Sequence, residues 1–369
     1  MSTPRILFIA RAYPPTLGGM ENFAQRLHEG LAQRTEVRAI INRRGKKALP
    51  AFLPYALVAG TLIGRSRTVD AIHLADALLA PLGMVLRRTT GLPVTASVCG
   101  LDVTYVNPLY QAIVPRALRQ LESTMPISHA TEAAMIARAP GARSTVIPLG
   151  VNPLPKPSPP EIARFDALCD AAPGQRIILS VGRLVARKGA AWFVEHVLSA
   201  LPDDVLFVAI GEGPERARIE AAAALAGVMP RVRLLGRVDD GLLAAAYARA
   251  SVFVMPNIPV PGDMEGFGLV ALEAAAAGAL VIASDLEGIT EAVQHGRNGL
   301  LVTAGDAAAW VVAIRDALEQ PHTALTDQTR RFSRFTREQY GWGATATRYL
   351  DVIARVTADH GSARELRAA

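Results

Sequence analysis

Two carboxylates flank a glycine-containing segment, Glu265-Gly266-Phe267-Gly268-Leu269-Val270-Ala271-Leu272-Glu273. Gly266 and Gly268 leave the start of a helix without side chains, so its backbone amides can receive phosphate or sugar oxygens. Glu265 lies in the loop before this helix, and Glu273 lies about two turns into it, at a spacing that can return it to the same face. One carboxylate can then reach a hexose and the other a ribose. The alternative is that Glu265 only favours the helix dipole and Glu273 faces solvent.

A cluster of cations follows an apolar run earlier in the chain, in the segment V-G-R-L-V-A-R-K-G at residues 181–189. The loop contains Gly182 and lies where a strand is expected to end. There Arg183 as a planar fork and Lys188 as a point charge can neutralise a diphosphate leaving group. A solvated basic loop is the alternative, and Arg187 fits that alternative.

Two further turns with glycine follow strand-length apolar runs. P-P-T-L-G-G-M-E at residues 14–21 precedes a helical pattern, and its Gly18 and Gly19 allow a phosphate to approach the helix N-terminus. G-E-G-P at residues 211–214 begins with Gly211 and follows the second strand of the second half. For the glycine pair alone, a tight turn is the alternative.

Short aliphatic runs alternate with longer Ala- and Leu-rich stretches along most of the chain, which is typical of β-α-β units and parallel sheets. We therefore predict an α/β fold with two doubly wound halves. The predicted strands are Ile6–Ala10, Val37–Ile41, Ala71–Leu74, Val94–Val98, Met125–Ile127, Thr145–Ile147, Ile177–Val181, Leu206–Ile210, Val232–Leu235, Val252–Met255, Val281–Ala283 and Gly299–Val302. Ligands bind beyond the carboxyl ends of strands in open α/β sheets, so facing halves would place an active site in the cleft between them.

The boundary between the halves is predicted at residues 148–160, where six prolines in 13 positions are typical of a semi-rigid linker. A chain of 369 residues is long enough for two or three domains of about 150 residues each. Half of the residues are apolar and 20% are charged, which excludes a disordered or fibrous chain.

The cysteine spacing and the N-terminal sequence indicate the compartment. Cys99 and Cys169 lie 70 positions apart, so neither a disulfide framework nor a cysteine zinc site is indicated, and a reducing cytosol fits. No signal-peptide pattern precedes the first apolar run. We expect a cytoplasmic protein.

Positive charge is concentrated in residues 1–150, which contain 17 Lys and Arg against 8 Asp and Glu, a net charge of +9. No zinc-finger spacing, aromatic-rich strand motif or heptad-linked basic region accompanies it, so we expect no nucleic-acid partner. Residues 43–67 contain R-R-G-K-K, a 17-residue apolar stretch, and then Arg65 and Arg67. This pattern predicts a cationic, apolar element that docks on an anionic membrane surface. A buried core helix with solvated charges at its ends is an equally good interpretation, and the stretch is too short for a transmembrane helix.

The segments V-G-R-L-x-x-R-K-G, G-x-G-P and E-G-F-G-L-V-A-L-E, in this order and after P-P-x-x-G-G-M-E, closely resemble family 4 of the retaining glycosyltransferases. The resemblance covers nearly the whole chain. It implies the GT-B fold, in which two Rossmann-like domains face a central cleft and the second holds most of a nucleotide-sugar donor. It also implies that neither a metal ion nor another cofactor is needed, and the sequence contains no D-x-D of the kind that binds a metal in GT-A enzymes.

The resemblance also implies the extent of each domain. The helical run after Tyr340-Gly341-Trp342 resembles the family's terminal helix, which returns to the first domain. We predict an N-terminal, acceptor-side domain of residues 1–153 plus 345–369. The nucleotide-sugar-binding domain is then residues 154–344.

Carried over residue by residue, the resemblance gives Glu265, Arg183 and Lys188 catalytic roles. Arg183 and Lys188 would contact the donor diphosphate, Glu273 the ribose hydroxyls, and Glu265 the transferred sugar. Gly19 would lie beside the diphosphate, and the stretch at 236–238 near the base. The predicted substrate-binding residues are Gly18, Gly19, Cys99, Asp102, Gly182, Gly211, Arg237, Val238, Gly266, Phe267, Gly268, Leu269, Val270 and Glu273.

One segment departs from the family's pattern. Where many relatives have H-G-x-D/E, with the histidine thought to contact the donor sugar, this chain has Cys99-Gly100-Leu101-Asp102. A thiol is a poorer hydrogen-bond donor than an imidazole, so sugar recognition and rate are expected to differ. His73 and His129 do not occupy the motif position, and we treat His129 only as a neighbour of the site.

Together these features predict a retaining hexosyltransferase that moves a sugar from a nucleotide-diphosphate sugar to the hydroxyl of an acceptor glycan or lipid. A lipid or glycolipid acceptor would be reached at the inner membrane face. A catalytically impaired nucleotide-sugar-binding subunit is one alternative, suggested by Cys99. Epimerisation of a nucleotide sugar or phosphorolysis on a GT-B fold is another. The paired R-x4-K and E-x7-E spacings favour transfer.

Overall fold

The two halves predicted from the alternating pattern are separate units in the computed structural model, which describes residues 3–16, 18–152, 154–172 and 174–368. Unit 1 comprises residues 1–150 and 342–369, and unit 2 comprises residues 151–341. The predicted domain boundaries, after residues 153 and 344, each lie three residues beyond these observed boundaries, after residues 150 and 341.

Unit 1 is built on a parallel sheet whose strands are apolar because both faces of the sheet are covered. The strand order is β2-β1-β3-β4-β5, so the winding direction reverses between β1 and β3. Its elements up to residue 138 are β1 (Ile6–Ala10), α1 (Gly19–Ala32), β2 (Val37–Ile41), α2 (Leu49–Arg65), β3 (Ala71–Leu74), α3 (Ala80–Thr90), β4 (Val94–Val98), α4 (Leu101–Thr104), α5 (Pro108–Leu118), β5 (Ser123–Pro126) and α6 (His129–Arg138).

One predicted strand is wrong. The run Thr145–Ile147 lies beside β5, and its first and last N–H groups donate to carbonyls of that strand, but the neighbouring residue 144 forms only an isolated bridge. Among the described residues, the contact of this run with β5 is limited to these hydrogen bonds, so it does not form a sixth strand of the sheet.

Unit 2 has six parallel strands in the order β11-β10-β9-β6-β7-β8, and the winding direction reverses between β6 and β9. The predicted α/β class with two doubly wound parallel sheets is therefore confirmed. The elements of unit 2 are α7 (Pro159–Cys169), β6 (Arg176–Val181), α8 (Ala190–His196), β7 (Val205–Ile210), α9 (Arg216–Leu225), β8 (Val232–Gly236), α10 (Asp240–Arg249), β9 (Val252–Met255), α11 (Leu269–Ala277), β10 (Val281–Asp285), α12 (Ile289–Ala292), β11 (Leu300–Thr303), α13 (Ala307–Glu319) and α14 (His322–Tyr340).

The last helix, α15 (Trp342–Ala368), returns to unit 1 and packs on α1. Tyr349 and Ile353 of this helix are fully buried in a cluster with Phe8 and Leu27. Burying such side chains contributes about 1.5–3 kcal/mol each, so the helix is part of the core of unit 1.

The helical segment at α2 is longer than the apolar stretch that the sequence analysis judged too short to cross a membrane. With the 3-10 turn before it, the helical segment is Lys46–Arg65, 20 residues, which is long and apolar enough to do so by length and composition alone. One face packs inward, with Phe52 and Ala56 in the core and Gly60 beside α3. The opposite face is exposed, with Tyr55, Val58 and Leu62 at 63%, 61% and 67% exposure. One face of the helix is therefore part of the core, as the core-helix interpretation expects, and the other face is exposed.

Candidate active site

The predicted phosphate loop leaves β6 at the point where the sheet of unit 2 reverses its winding. Gly182 has φ +146°, and the chain then makes a 3-10 turn at Ala186–Lys188. The Lys188 side chain is largely buried, and Arg183 is exposed at the rim of the same small cavity. In a doubly wound sheet this crevice is where ligands bind.

The G-E-G-P loop supports this phosphate loop from β7. A Cβ on Gly211 would lie 1.9 Å from the carbonyl oxygen of Gly182, and one on Gly213 would lie 2.1 Å from that of Leu184. The two loops are also joined by a hydrogen bond from the Leu184 N–H to the Glu212 carbonyl, at 2.9 Å. Gly211 is therefore required by backbone packing, and it lies next to the predicted diphosphate site.

Glu265 is the centre of an ion-pair cluster. Its Oε2 atom lies 2.6 Å from Lys188 Nζ and 2.9 Å from Arg187 Nη1, and it accepts a hydrogen bond from Asn257 Nδ2 at 3.1 Å. The Glu265 N–H donates to the Glu287 carboxylate at 2.6 Å. Two residues predicted as catalytic, Glu265 and Lys188, are thus in direct contact.

Arg187 corrects the sequence analysis, which placed it on a solvated loop. The 3-10 turn directs its side chain inward, where it is only 9% exposed. Its Nε donates to Asp263 at 3.0 Å while Nη1 donates to Glu265. The segment 256–264 supplies this carboxylate partner, a contact that spacing along the chain could not show.

Burial and charge act against each other on the two central groups. Burial, together with the nearby Arg187 and Arg183 cations, lowers the pKa of Lys188, and the Glu265 carboxylate partly opposes this. For Glu265, burial favours the neutral form, but the cations of Lys188 and Arg187 outweigh it and hold the pKa below its ordinary value. Each group thus offsets part of the other's burial through their 2.6 Å contact.

Asn257 is a site residue that the sequence analysis did not identify. It is 1% exposed and lines the small cavity that Lys188 also lines. Because its Nδ2 faces the Glu265 carboxylate, its Oδ1 points away, and it accepts no hydrogen bond from the described part of the chain. A buried carbonyl oxygen of this kind is available to a ligand donor.

Helix α11 begins directly after the glycine-containing loop. Gly268 is its N-cap with φ +92°, and no side chain caps the first turn, in which Leu269 and Val270 are half-buried. Phe267 is buried and fixes the loop. The carbonyl of Gly266 lies so close to Gly288 that a Cβ on Gly288 would clash with it. Backbone N–H groups at this helix start are therefore available for anion binding.

Glu273 occupies a separate position on α11. Its carboxylate accepts a hydrogen bond from the Tyr247 hydroxyl of α10 at 3.2 Å, and burial raises its pKa. Glu265 and Glu273 thus have different partners, as expected for carboxylates with different roles.

The predicted base-side residues lie after β8. Arg237 is 79% exposed and pairs with Glu212 at 3.0 Å, and Val238 is half-buried beside it. Gly236 forms a bridge with Gly211, which joins this turn to the G-E-G-P loop.

In unit 1, Gly18 precedes α1 and Gly19 begins it. The N-cap, Gly18, has no side chain to cap this helix, and a Cβ on Gly19 would meet no atom of the described residues within 4 Å. The helix start is therefore open to a ligand, whereas a Cβ on Gly18 would meet the Glu21 carboxylate at 2.2 Å.

Asp102 holds the loop that follows β4. Its carboxylate accepts hydrogen bonds from the N–H of Cys99 at 2.9 Å and of Ala77 at 3.1 Å. Burial and the nearby Asp76 raise the pKa of Asp102 to about 6, and Asp76 itself pairs with Arg11 at 2.8 Å. Arg11 and Asp76, which the sequence analysis did not identify, therefore belong to the same cluster.

The other two residues discussed for this part of unit 1 are Cys99 and His129. Burial raises the pKa of the Cys99 thiol. His129 lies on α6, where it pairs with Glu132.

The glycosyl transferases group 1 family model matches residues 175–320, most of unit 2. The phosphatidyl-myo-inositol mannosyltransferase of Mycobacterium leprae is 33% identical over 228 residues, 58% of this chain and 54% of that protein. The chain thus spans about half the length of this relative. The GDP-mannose-dependent alpha-(1-6)-phosphatidylinositol monomannoside mannosyltransferase of Mycolicibacterium smegmatis is 27% identical over 350 residues, 86% of this chain and 90% of that protein.

Solved structures agree on the fold. HepE of Anabaena, determined in complex with UDP, superimposes with a TM-score of 0.75 at 18% identity and covers 95% of this chain and 100% of that one. The two parallel-sheet domains are those of the GT-B class. Unit 2 is similar to the glycosyl transferases group 1 family over residues 175–320, in agreement with the resemblance seen in the sequence.

Proposed function

We propose that the protein is a retaining glycosyltransferase that moves a hexosyl unit from a nucleoside-diphosphate sugar to an acceptor hydroxyl. The observation that carries this proposal is the buried contact between Lys188 and Glu265 beside the uncapped start of α11. Such a site offers a cation and backbone N–H groups to a diphosphate, and carboxylate and amide oxygens to sugar hydroxyls.

We propose the following contacts with the donor. Lys188 and Arg183 oppose the charge on the diphosphate, which increases as the bond to the sugar breaks, so their stabilisation is greatest in the transition state. Glu265 and the free Oδ1 of Asn257 accept hydrogen bonds from hydroxyls of the transferred sugar. Glu273 with Tyr247 receives the ribose.

Transfer with retention needs no protein nucleophile. The bond between the anomeric carbon and the diphosphate oxygen breaks, and the acceptor oxygen forms its bond on the same face. The acceptor proton passes to the leaving diphosphate. In this scheme the protein positions the reactants and stabilises charge, and no residue forms a covalent intermediate with the sugar.

Known relatives support the donor class and leave the base and the sugar open. HepE of Anabaena was also determined with UDP-glucose, whereas the Mycolicibacterium smegmatis relative is named as GDP-mannose-dependent. Since relatives that align with this chain are named as transferases, transfer is a better proposal than epimerisation or a purely binding role.

A lipid is the proposed acceptor class, reached from an anionic membrane surface. The exposed face of α2 bears only apolar side chains between Ala51 and Leu62, and cations lie at both of its ends. Exposed Val106, Leu109 and Ile113 at α5 add a second apolar face, and α3 packs against both α2 and α5. Apolar side chains with flanking cations match a bilayer with anionic headgroups.

Calorimetric titration of the purified protein with UDP-, GDP- and ADP-sugars tests the donor proposal. We expect one of these nucleotide classes to bind, and to bind far more weakly to Lys188→Ala. Arg176→Ala is a suitable control because Arg176 pairs with Asp204 at the other end of the same strand. Absence of binding to all three classes by the folded protein would overturn the proposed function.

A further inference from the structure

Arg187 contacts two carboxylates at once. Its Nε lies 3.0 Å from Asp263 Oδ1 and its Nη1 lies 2.9 Å from Glu265 Oε2. The Arg187 carbonyl also accepts the Ile258 N–H at 3.0 Å, which ties the 3-10 turn to the loop after β9. A planar guanidinium with five N–H donors can hold both carboxylates in a fixed geometry, and an ammonium group cannot do so in the same way.

Charge balance shows why Glu265 needs Arg187 as a cationic partner in addition to Lys188. Glu265 is only 12% exposed, and a buried carboxylate needs a cationic partner. Lys188 is one partner, but the proposed function requires Lys188 to bind the diphosphate as well. If Lys188 were the sole cation at Glu265, the diphosphate and the carboxylate would compete for it.

We propose that Arg187 is a positioning residue that holds the Glu265 carboxylate in place and so leaves Lys188 available to the donor diphosphate. This inference rests on the proposed function and adds to it a residue outside the R-x4-K pair. Arg187 does not contact the sugar or the diphosphate in this scheme, since both of its carboxylate partners are protein groups.

All charged groups around Glu265 enter the expected pH behaviour. The cations are Lys188 and Arg187, with Arg183 further out, and the acids are Glu287, which accepts the Glu265 N–H, and Asp263, which pairs with Arg187. Loss of one cation raises the pKa of Glu265, because the remaining charges favour the ionised form less. The acid limb of the turnover profile should then move to higher pH.

A double-mutant cycle with nucleoside diphosphate as the probe separates this role from simple loss of charge. We expect Arg187→Gln to weaken binding of UDP, GDP or ADP, whichever the wild type binds, by about tenfold, a coupling typical of groups in contact. Glu265→Gln removes the carboxylate that competes for Lys188. It should therefore raise the affinity for the nucleoside diphosphate by a larger factor in the Arg187→Gln background than in the wild type. Arg187→Lys should recover part of the lost affinity.

Three results would overturn the inference. These are additive effects in the cycle, unchanged affinity and pH profile in folded Arg187→Gln, and identical behaviour of Arg187→Lys and Arg187→Gln. Arg176→Gln is the control for removing an Arg–Asp pair from unit 2.

Failure of the proposed function would be recognised separately, because the wild type would then bind none of the three nucleotides. In that case, carbon NMR titration of the Glu265 carboxyl still tests whether Arg187 positions Glu265. A pKa that rises in Arg187→Gln supports the positioning role, and an unchanged pKa refutes it.

Discussion

At the scale of single residues, the site depends on a small number of buried charges that compensate one another. Lys188 and Glu265 satisfy each other at 2.6 Å, and Arg187 and Asn257 complete the shell around the carboxylate. Removing one partner leaves the other buried and uncompensated, which costs more than the interaction itself contributes. Substitutions here should therefore change both chemistry and stability, and controls are needed to separate them.

Lys188→Ala should reduce turnover of the nucleotide sugar by about 100-fold to 1,000-fold, the range seen when a preorganised electrostatic partner is removed. The fold should persist, because the side chain contacts a carboxylate and not the apolar core of unit 2. Steady-state rates and circular dichroism of Lys188→Ala and Arg176→Ala give the comparison. Wild-type turnover in folded Lys188→Ala would contradict the assignment.

The two carboxylates of α11 and its preceding loop should separate binding from chemistry. Glu273→Ala is expected to weaken nucleoside-diphosphate binding, since the proposed ribose contact is lost. Glu265→Ala should lower kcat, since its proposed contact is with the transferred sugar, and should not weaken nucleoside-diphosphate binding, since it removes a competitor for Lys188. Titration calorimetry and kinetics on both variants provide the test, and equal nucleotide affinity in Glu273→Ala and wild type would refute this division.

Asp102 should give unit 1 a pH-dependent stability. Its pKa in the folded protein, about 6, lies above the ordinary value of about 3.9, so the folded state binds more protons between these values. Stability relative to Asp102→Asn should therefore fall as pH rises from 4 to 6, by up to about 3 kcal/mol, and then stay level. Asp76, Arg11 and Tyr110 face this carboxyl in both proteins. Urea unfolding of both proteins across this range measures the difference, and a flat or rising difference would be inconsistent with a raised pKa.

At the scale of elements, the sequence predicts the strands well because apolar runs of four to six residues between turns leave little choice in a parallel sheet. It fails at Thr145–Ile147, which lies along β5 without forming a strand of the sheet, beside an isolated bridge at residue 144. It also misplaces Arg187, since inward rotation of a 3-10 turn depends on Asp263, 76 positions away. Contacts of this kind come from tertiary structure and leave no local pattern.

Helix α2 shows the same limit. Its apolar composition predicts either a core helix or a membrane-facing helix, and only packing decides which residues face inward. Phe52, Ala56 and Gly60, spaced four apart, face the sheet and α3, which leaves Tyr55 and Val58 outside. The orientation follows from the fit of small residues against neighbouring elements.

Binding of the protein to liposomes should need anionic lipid and should weaken as salt rises, because exposed charges are screened beyond about 10 Å at 0.1 M ionic strength. Charge reversal of the basic segment at 43–47 should abolish binding and leave nucleotide affinity unchanged. The four substitutions are Arg43→Glu, Arg44→Glu, Lys46→Glu and Lys47→Glu.

A control with the same change of charge uses exposed arginines of unit 1 outside α2 and its flanking basic segment. These are Arg26→Glu, Arg38→Glu, Arg138→Glu and Arg143→Glu. Co-sedimentation that responds equally to both sets would indicate nonspecific attraction, and indifference to lipid charge and to both sets would favour a soluble acceptor.

At the scale of the whole molecule, charge and ligand chemistry are divided along the chain. Residues 1–150 carry a net charge of +9, while the remaining residues carry −3. The proposed donor residues Arg183, Lys188, Glu265 and Glu273 all belong to unit 2, and the cationic, apolar surface belongs to unit 1. Charge reversal in the basic segment 43–47 of unit 1 should therefore leave the nucleotide affinity of unit 2 largely unchanged.

The central claim is that the protein transfers a sugar from a nucleoside diphosphate, and donor turnover tests it most directly. The wild type and Lys188→Ala are incubated with labelled UDP-, GDP- and ADP-sugars and a bacterial lipid extract, and both released nucleoside diphosphate and labelled lipid are measured. We predict that the wild type releases nucleoside diphosphate and labels the lipid with one donor class, and that Lys188→Ala does so at least about 100-fold more slowly. No release from any donor by the folded wild type, or equal release by both proteins, would contradict the account.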